Sequence, residues 1–331
     1  MQYKSVKGFS GWTQFGFLLA FVGLGLLLTL AVQFVILMKI VPEGVSLTDK
    51  DALMKAMLAP ENLSVVRLSQ VLGTLCLLFI PAILWSRICN GGKFIWLGFN
   101  KYLNGYQVLF GFLIIFAAGV AAAPLVDLTK NILTHFPSLN SMAFQMEKEY
   151  NMQVLALSHL KNWPEYIAGL FIMAFFPAMF EEVFFRGVLQ NLFVKWLRSP
   201  WMGIIITSII FSLIHLSIYL FFSRLLLGVA LGLMFYYTKN IWVNIIAHFI
   251  NNAIALTQMF VLSRQEKLIT PDKLDPTFPW GFSLLALAAT VFFFIMLKKY
   301  SAGNRIRIEE KENLLIAEAD PFRSFTEPII N

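Results

Sequence analysis

The chain is poor in charged residues and in cysteine. Only 14% of its 331 residues are Asp, Glu, Lys or Arg, whereas a soluble domain usually has about 25%. The two cysteines, Cys76 and Cys89, stand roughly 20 Å apart if the segment between them is helical, which is too far for a disulfide. The sequence also has no CxxC pair. These absences exclude an ordinary soluble domain, a disulfide framework and a thiolate zinc site.

Apolar residues dominate instead. They make up 58% of the chain and include 33 Phe, and the mean hydropathy is +0.71. A membrane-spanning helix needs about 20 apolar residues, so the apolar segments predict an all-α polytopic transmembrane helical bundle with about eight spans. The predicted spans are residues 13–40, 66–88, 106–126, 164–197, 202–218, 220–238, 241–262 and 279–298.

The first apolar run, from about Phe15 to Met38, follows Lys4 and Lys7 and so resembles a signal peptide. It is longer than the about 7–15 residues of a signal-peptide core, and no small-residue cleavage site closes it well. We therefore expect a retained first span.

Basic residues lie mainly in alternate loops, while the loops 41–65 and 127–163 mix acids and bases. The positive-inside rule then places both termini in the cytoplasm of a multi-pass protein of the plasma membrane. These loops account for the net charge of +7, so we expect the lipid bilayer as a partner and no nucleic acid. Only the loop 263–278 fits this orientation poorly. The basic residues are Lys4, Lys7, Arg87, Lys93, Lys101, Lys195, Arg198, Lys239, Lys298, Lys299, Arg305 and Arg307.

The chain divides into N-terminal spans with their connection (residues 1–163), a core with polar residues (164–262) and a last span with its tail (263–331). Residues 127–163 are partly helical and amphipathic, which favours a helix in the membrane interface. A lid or a substrate-guiding element is the alternative. The polar residues 300–331 are expected to be disordered or loosely bound to the surface.

A few ionisable residues lie inside the predicted spans. A charged side chain is costly to place in hydrocarbon, so such residues are candidates for a functional site. Histidines and carboxylates together can activate a water molecule, and His or Asn side chains can donate to a developing oxyanion. The residues are Glu181, Glu182 and Arg186 in the fourth span, His215 in the fifth, Arg224 in the sixth, and His248 in the seventh, near Asn244, Asn251 and Asn252.

The two adjacent glutamates have unequal surroundings. Glu182 and Arg186 are spaced i, i+4 and can pair on one helix face, whereas Glu181 points about 100° away. Such asymmetry suits general acid–base chemistry. An Arg–Glu pair that only locks helices together is the alternative, and it leaves Glu181 unexplained. Pro177, one turn before Glu181, predicts a kink that can open a polar pocket.

Three motifs follow one another along these spans. Glu181–Arg186 fits EExxxR, Phe211–His215 fits FxxxH and His248–Asn252 fits HxxxN. In this order and spacing they resemble the CAAX protease and bacteriocin-processing (CPBP or ABI) family of membrane peptidases, over about residues 165–255. The stretch Arg224–Trp242 is also similar to that family.

The resemblance implies a glutamate-type intramembrane endopeptidase. Eukaryotic members remove the last three residues of prenylated CAAX proteins, so the implied substrate is a membrane-associated or lipidated protein or peptide. The implied catalytic residues are Glu181 and His215 for water activation, Glu182 and Arg186 for ordering the site, and His248 and Asn252 for the oxyanion, with Phe211, Pro177 and Arg224 in support.

Two other functions fit the same residues. A relay of Glu, His and Arg also suits a proton-coupled transporter, although no internal repeat is visible. A non-catalytic bacteriocin-immunity or binding protein can use the same fold. We expect no cofactor. A zinc ion held by Glu181, His215 and His248 is the alternative, and the absence of HExxH stands against it.

Overall fold

The computed structural model describes residues 3–158, 160–264 and 278–319. In these ranges the chain is a bundle of helices, so the predicted all-α fold is confirmed. The helices are α1 (Gly11–Ile40), α2 (Lys50–Met57), α3 (Leu63–Asn90), α4 (Gly105–Leu133), α5 (Pro137–Leu157), α6 (Trp163–Leu197), α7 (Pro200–Leu213), α8 (Phe221–Thr238), α9 (Ile241–Arg264) and α10 (Trp280–Ala319).

Seven of the described helices are long and apolar enough to cross a membrane, which defines a multi-pass membrane protein. The predicted count of eight is not confirmed, because the fifth predicted span, 202–218, corresponds to the shorter helix α7. At 14 residues and about 1.5 Å per residue, α7 is about 21 Å long, against a hydrocarbon core of about 30 Å. His215 therefore lies in the turn after α7, outside the helix in which the sequence placed it.

Several helices begin where the sequence provides a capping residue. Asn162 accepts a hydrogen bond from the backbone N–H of Glu165 at the start of α6. Ser199 does the same for Met202 at the start of α7, with Pro200 in the first turn. These side chains satisfy backbone donors that the first helical turn leaves open, and they fix the entry points of the two helices.

The connection between the third and fourth predicted spans is helical, as its pattern predicts. Helix α4 is interrupted at Ala123, because Pro124 cannot donate a backbone hydrogen bond, and it then continues to Leu133. Helix α5 follows after a short turn. Its only buried residues are Ala143 and Leu157, and apolar side chains such as Phe144 stay exposed, as in a helix that lies at a membrane interface.

The expectation of a disordered tail is wrong for residues 300–319. Helix α10 is 40 residues long and continues without a break past its apolar part. Its polar end is fixed by contacts with distant loops: Lys239 Nζ lies 2.8 Å from Glu312 Oε2, and Asn304 Nδ2 donates to the Tyr102 carbonyl over 3.3 Å. Residues 320–331 lie outside the described residues.

Two buried apolar clusters hold the helices that supply the polar residues. Helices α8 and α9 contribute to both clusters, and α6 contributes to the first. The first cluster includes Trp85, Phe185, Phe211 and Ile245 from α3, α6, α7 and α9. The second includes Ile114, Met234, Ala247 and Leu297 from α4, α8, α9 and α10.

Close approach of α1 to α3 depends on a glycine. Membrane helices gain little from hydrophobic burial against each other, so small residues that let backbones approach are important. Gly25 faces the Cys76 carbonyl oxygen. One turn along, Thr29 Oγ1 donates to the Gly73 carbonyl over 3.1 Å. The two helices are thus in near backbone contact.

We expect Gly25→Ala to lower the midpoint of thermal unfolding in detergent. The added Cβ would overlap the Cys76 carbonyl oxygen, and overpacking of this kind costs about 1–3 kcal/mol. Gly23→Ala is the matched control, because a Cβ at that position meets no atom within 4 Å. Equal midpoints for the two variants would contradict the close packing of α1 on α3.

Candidate active site

Helix α6 is irregular on both sides of its glutamate pair. π-helical turns at Leu170–Phe175 and Val183–Gln190 enclose the α-helical segment Phe176–Glu182. Pro177 follows the first of them, at the place where the sequence predicts a kink, and its missing N–H is accommodated by this wider turn. Such π-turns are frequent at functional sites because they reorient the side chains that follow.

Glu182 is completely buried and accepts three hydrogen bonds. Arg186 Nη1 donates to its Oε1 over 2.7 Å, and the Asn244 amide donates to its Oε2 over 3.1 Å. His248 Nδ1 lies 2.8 Å from the same Oε1. The predicted Glu182–Arg186 pair is therefore confirmed. Since a buried charge is tolerated only when it is paired and hydrogen-bonded, these donors explain how a carboxylate can stay in this place.

The same network reaches two further helices. Arg186 Nη2 donates to the Gly228 carbonyl of α8 over 3.3 Å, and the guanidinium lies 4.7 Å from the centroid of the Phe211 ring on α7. Asn244 donates to the Leu231 carbonyl over 2.7 Å. Charge compensation and helix packing are thus achieved by the same side chains, which join α6, α7, α8 and α9.

Glu181 lies in different surroundings from Glu182, as the sequence predicts. Its Oε2 is buried and has no hydrogen-bond partner among the described residues. This oxygen is 3.8 Å from His248 Nε2 and 4.0 Å from His215 Nε2. Both distances exceed a direct hydrogen bond of about 2.7–3.2 Å, and they leave the carboxylate facing two imidazole rings.

The hydrogen bonds of the two rings define which nitrogen carries a proton. His215 Nδ1 lies 2.7 Å from the Phe211 carbonyl oxygen, and a carbonyl oxygen can only accept, so this nitrogen donates. His248 Nδ1 donates to the Glu182 carboxylate by the same reasoning. Both rings therefore turn Nε2 toward Glu181, where it accepts when the ring is neutral and donates when it is protonated.

Most of the predicted site residues meet at this point, but Asn252 does not join the network. It lies one turn after His248 on α9, partly buried, and its side chain has no hydrogen bond to another described residue. Asn244, one turn before His248, contacts Glu182 instead. The i, i+4 spacing of Asn244 and His248 is the sequence signal for this contact. The HxxxN motif indicates Asn252 instead, which follows His248 by the same spacing.

The supporting residues Phe211 and Arg224 are close to the histidines. The Phe211 ring centroid lies 4.7 Å from that of His215 and 6.1 Å from that of His248. Arg224 Nη1 donates to the His215 carbonyl over 3.3 Å. Phe211 thus packs against both rings, and Arg224 holds the backbone of the turn.

That the site has no cofactor stays a prediction, with a zinc ion on Glu181, His215 and His248 as its alternative. Among the described residues no group of three or more His, Cys, Asp or Glu has an arrangement that could hold a metal ion. The chemistry that the geometry supports directly is proton transfer between one carboxylate and two imidazoles.

A groove of about 500 Å³ lies on α9 but away from this site. Thr257 lines it, and nine residues after His248 at about 100° each place Thr257 roughly 180° around the helix from the histidine. The groove is therefore on the opposite face of α9 from the polar network. Its lining residues are Ile250, Ala253, Ile254, Thr257, Gln258, Val261 and Leu262.

Fold and site together define a multi-pass membrane protein with a buried Glu/His cluster. Residues 163–254 match the family model of the type II CAAX prenyl endopeptidases, Rce1-like. This segment contains α6, α7, α8 and the site-bearing part of α9, so the likeness expected from the three motifs is confirmed over it. At this coarse level the match supports a CAAX-type intramembrane protease. No curated protein and no solved structure matches the chain.

We expect Arg186→Leu to destabilise the fold strongly, because it leaves the Glu182 carboxylate buried without its cation. Breaking a buried ion pair on one side costs about 3–5 kcal/mol, which thermal unfolding in detergent would register. Lys195→Leu is the control, since Lys195 is an exposed cation on the same helix. The double variant Glu182→Leu/Arg186→Leu should recover part of the loss. Equal unfolding midpoints for Arg186→Leu and Lys195→Leu would contradict this role.

Proposed function

We propose that the chain is an intramembrane endopeptidase that hydrolyses a peptide bond of a membrane-associated or lipidated protein through a water activated by Glu181 and His215. The observation that carries the proposal is the Oε2 atom of Glu181, which is buried, has no hydrogen-bond partner among the described residues, and faces two imidazole nitrogens at 3.8 and 4.0 Å. The family match over residues 163–254 supports the substrate class.

The separations around Glu181 suit a shared water molecule. Two groups that each lie about 2.8 Å from one water oxygen, at an angle of about 90°, are about 4 Å apart, since 2.8 × √2 is about 4.0. A water held between the carboxylate and the imidazole can donate one hydrogen to each. Polar contacts across more than about 3.5 Å are commonly bridged in this way.

In the proposed reaction Glu181 is the general base. It takes a proton from the water as the water oxygen bonds to the scissile carbonyl carbon, while His215 Nε2 accepts the second O–H and orients the attack. The protonated Glu181 then delivers its proton to the leaving amine nitrogen as the C–N bond breaks. One positioned carboxylate thus serves as base and then as acid, a role that contributes typically 10²–10⁴-fold.

In this proposal His248 and Asn252 donate hydrogen bonds to the oxyanion of the tetrahedral intermediate. His248 Nδ1 is held by Glu182 over 2.8 Å, so Nε2 is the nitrogen that can donate to the developing charge when the ring carries its second proton. Asn252 on the next turn supplies an amide. One oxyanion donor is worth about 10²–10³ in kcat. Glu182, Arg186 and Asn244 act by holding the His248 ring.

The proposed location is the plasma membrane, with both termini in the cytoplasm. Because two termini on one side need an even number of crossings, this proposal counts the short helix α7 as an eighth crossing beside the seven long apolar helices. This orientation comes from the distribution of Lys and Arg between loops, while the seven long apolar helices establish that the chain is a multi-pass membrane protein. A site among membrane helices favours substrates that are themselves held at the bilayer. A peptide with a lipid anchor meets this requirement.

We expect Glu181→Gln and His215→Ala each to abolish cleavage of a farnesylated CAAX peptide by the purified protein in liposomes. Each variant removes a group that handles the attacking water, so the rate should fall at least about 10²-fold. The measurement is mass spectrometry of the shortened product, with a metal chelator present in one arm to separate zinc-dependent turnover.

The matched controls are Glu149→Gln and His135→Ala, because both residues are exposed and lie outside the site. They should keep wild-type rates, and circular dichroism should be the same for all four variants. Retained cleavage in both site variants would rule out this mechanism. Proton-coupled flux that is lost in Glu181→Gln, without any cleavage by the wild type, would identify a transporter instead.

A further inference from the structure

The turn that carries His215 has a strained backbone. Helix α7 ends at Leu213, and Leu216 then adopts the left-handed conformation with φ of +52°, which is unfavourable for a residue with a side chain. The Leu216 side chain is 70% exposed and cannot anchor the turn by burial. Contacts from elsewhere must therefore hold residues 214–220 in place.

Helix α5 provides one such contact through Glu147. Ser217 Oγ donates to Glu147 Oε2 over 2.6 Å, and the same Oγ accepts from the backbone N–H of Leu220 over 3.2 Å. A hydroxyl that donates to a carboxylate forms a short, charge-assisted hydrogen bond. The carboxylate on α5 thereby fixes the second half of the turn.

A second contact passes through Tyr150. The Arg224 guanidinium lies 5.2 Å from the centroid of the Tyr150 ring, within the range of a cation–π interaction. The same guanidinium donates to the His215 carbonyl over 3.3 Å. Arg224 is therefore the single side chain between α5 and the histidine, since its guanidinium contacts the Tyr150 ring and the His215 backbone.

Helix α5 is itself fixed to the bundle by polar contacts near both ends. Tyr219 OH donates to Asn140 Oδ1 over 2.8 Å. Burial and the nearby Glu147 carboxylate raise the pKa of Tyr219, so the phenol keeps its proton and remains a donor. At the other end, Arg67 Nε donates to the Leu157 carbonyl over 2.8 Å, where a helix C-terminus favours a cation.

We propose that Glu147 and Tyr150 are positioning residues of the peptidase, which hold His215 opposite Glu181 through Ser217 and Arg224. This inference rests on the proposed function and adds to it that two side chains of α5 position the histidine. A misplacement of about 1 Å at a reacting group can cost about 10²-fold in rate. Loosening this clamp therefore lowers kcat while leaving substrate binding little changed.

The experiment compares Glu147→Ala and Tyr150→Leu with matched controls in the full-length protein in liposomes. Glu149→Ala removes an exposed carboxylate from the same helix, and Tyr150→Phe keeps the aromatic ring that faces Arg224. We expect kcat to fall by about 10- to 100-fold in the first two variants, with KM within about twofold. The two controls should stay close to the wild type.

A second readout does not depend on activity. Backbone hydrogen exchange of residues 214–220 should be faster in Glu147→Ala and Tyr150→Leu, and unchanged in Glu149→Ala and Tyr150→Phe, because only the first two variants release the turn. In the double variant Glu147→Ala/Ser217→Ala, the fall in kcat should be no larger than in the worse of the two single variants, since both changes remove the Ser217–Glu147 hydrogen bond.

The outcomes separate the two proposals. Wild-type kcat and unchanged exchange in Glu147→Ala and Tyr150→Leu would overturn the positioning role even if the protein is a peptidase. Equal losses in Tyr150→Leu and Tyr150→Phe would overturn the ring contact. If the wild type cleaves nothing, the proposed function fails, and exchange alone decides the clamp: faster exchange supports it and unchanged exchange overturns it.

Discussion

The buried Glu182 carboxylate is the group on which the rest of the site depends. It is fully buried among membrane helices, so it needs donors from every side, and Arg186, Asn244 and His248 supply them from α6 and α9. A charge without such partners would be too costly in this place. Satisfying one carboxylate thus determines how α6 meets α9, and it also fixes the orientation of His248.

The neighbouring Glu181 gains its character from this arrangement. Because Glu182 takes the available cation and amide, Glu181 is left to face the Nε2 atoms of His215 and His248. Two adjacent carboxylates therefore have different surroundings, one paired with a cation and one facing two imidazole rings, which is the pattern by which environment separates acid–base functions. Helix α5 contacts the turn after α7, where Leu216 has a positive φ, through the hydrogen bond between Ser217 and Glu147.

Much of this was predictable from local patterns, and the remainder depends on distant contacts. Hydropathy predicts the long helices, and i, i+4 spacing predicts the Glu–Arg pair. The end of α7 at Leu213 is not predictable from hydropathy, because apolar residues continue beyond it in the sequence. Asn244 and Asn252 are equally spaced on either side of His248, so only packing against α6 decides which one contacts the carboxylate. The helical tail depends on ion pairs with a remote loop.

We propose that Glu181 activates a water rather than attacking the peptide itself. A single turnover of a lipidated peptide in heavy-oxygen water, with enzyme in excess, tests it directly by mass spectrometry of product and protein. Water attack places one heavy oxygen in the new product carboxylate and none in the protein fragment that contains Glu181. Label in that fragment, or an unlabelled product, would contradict the account.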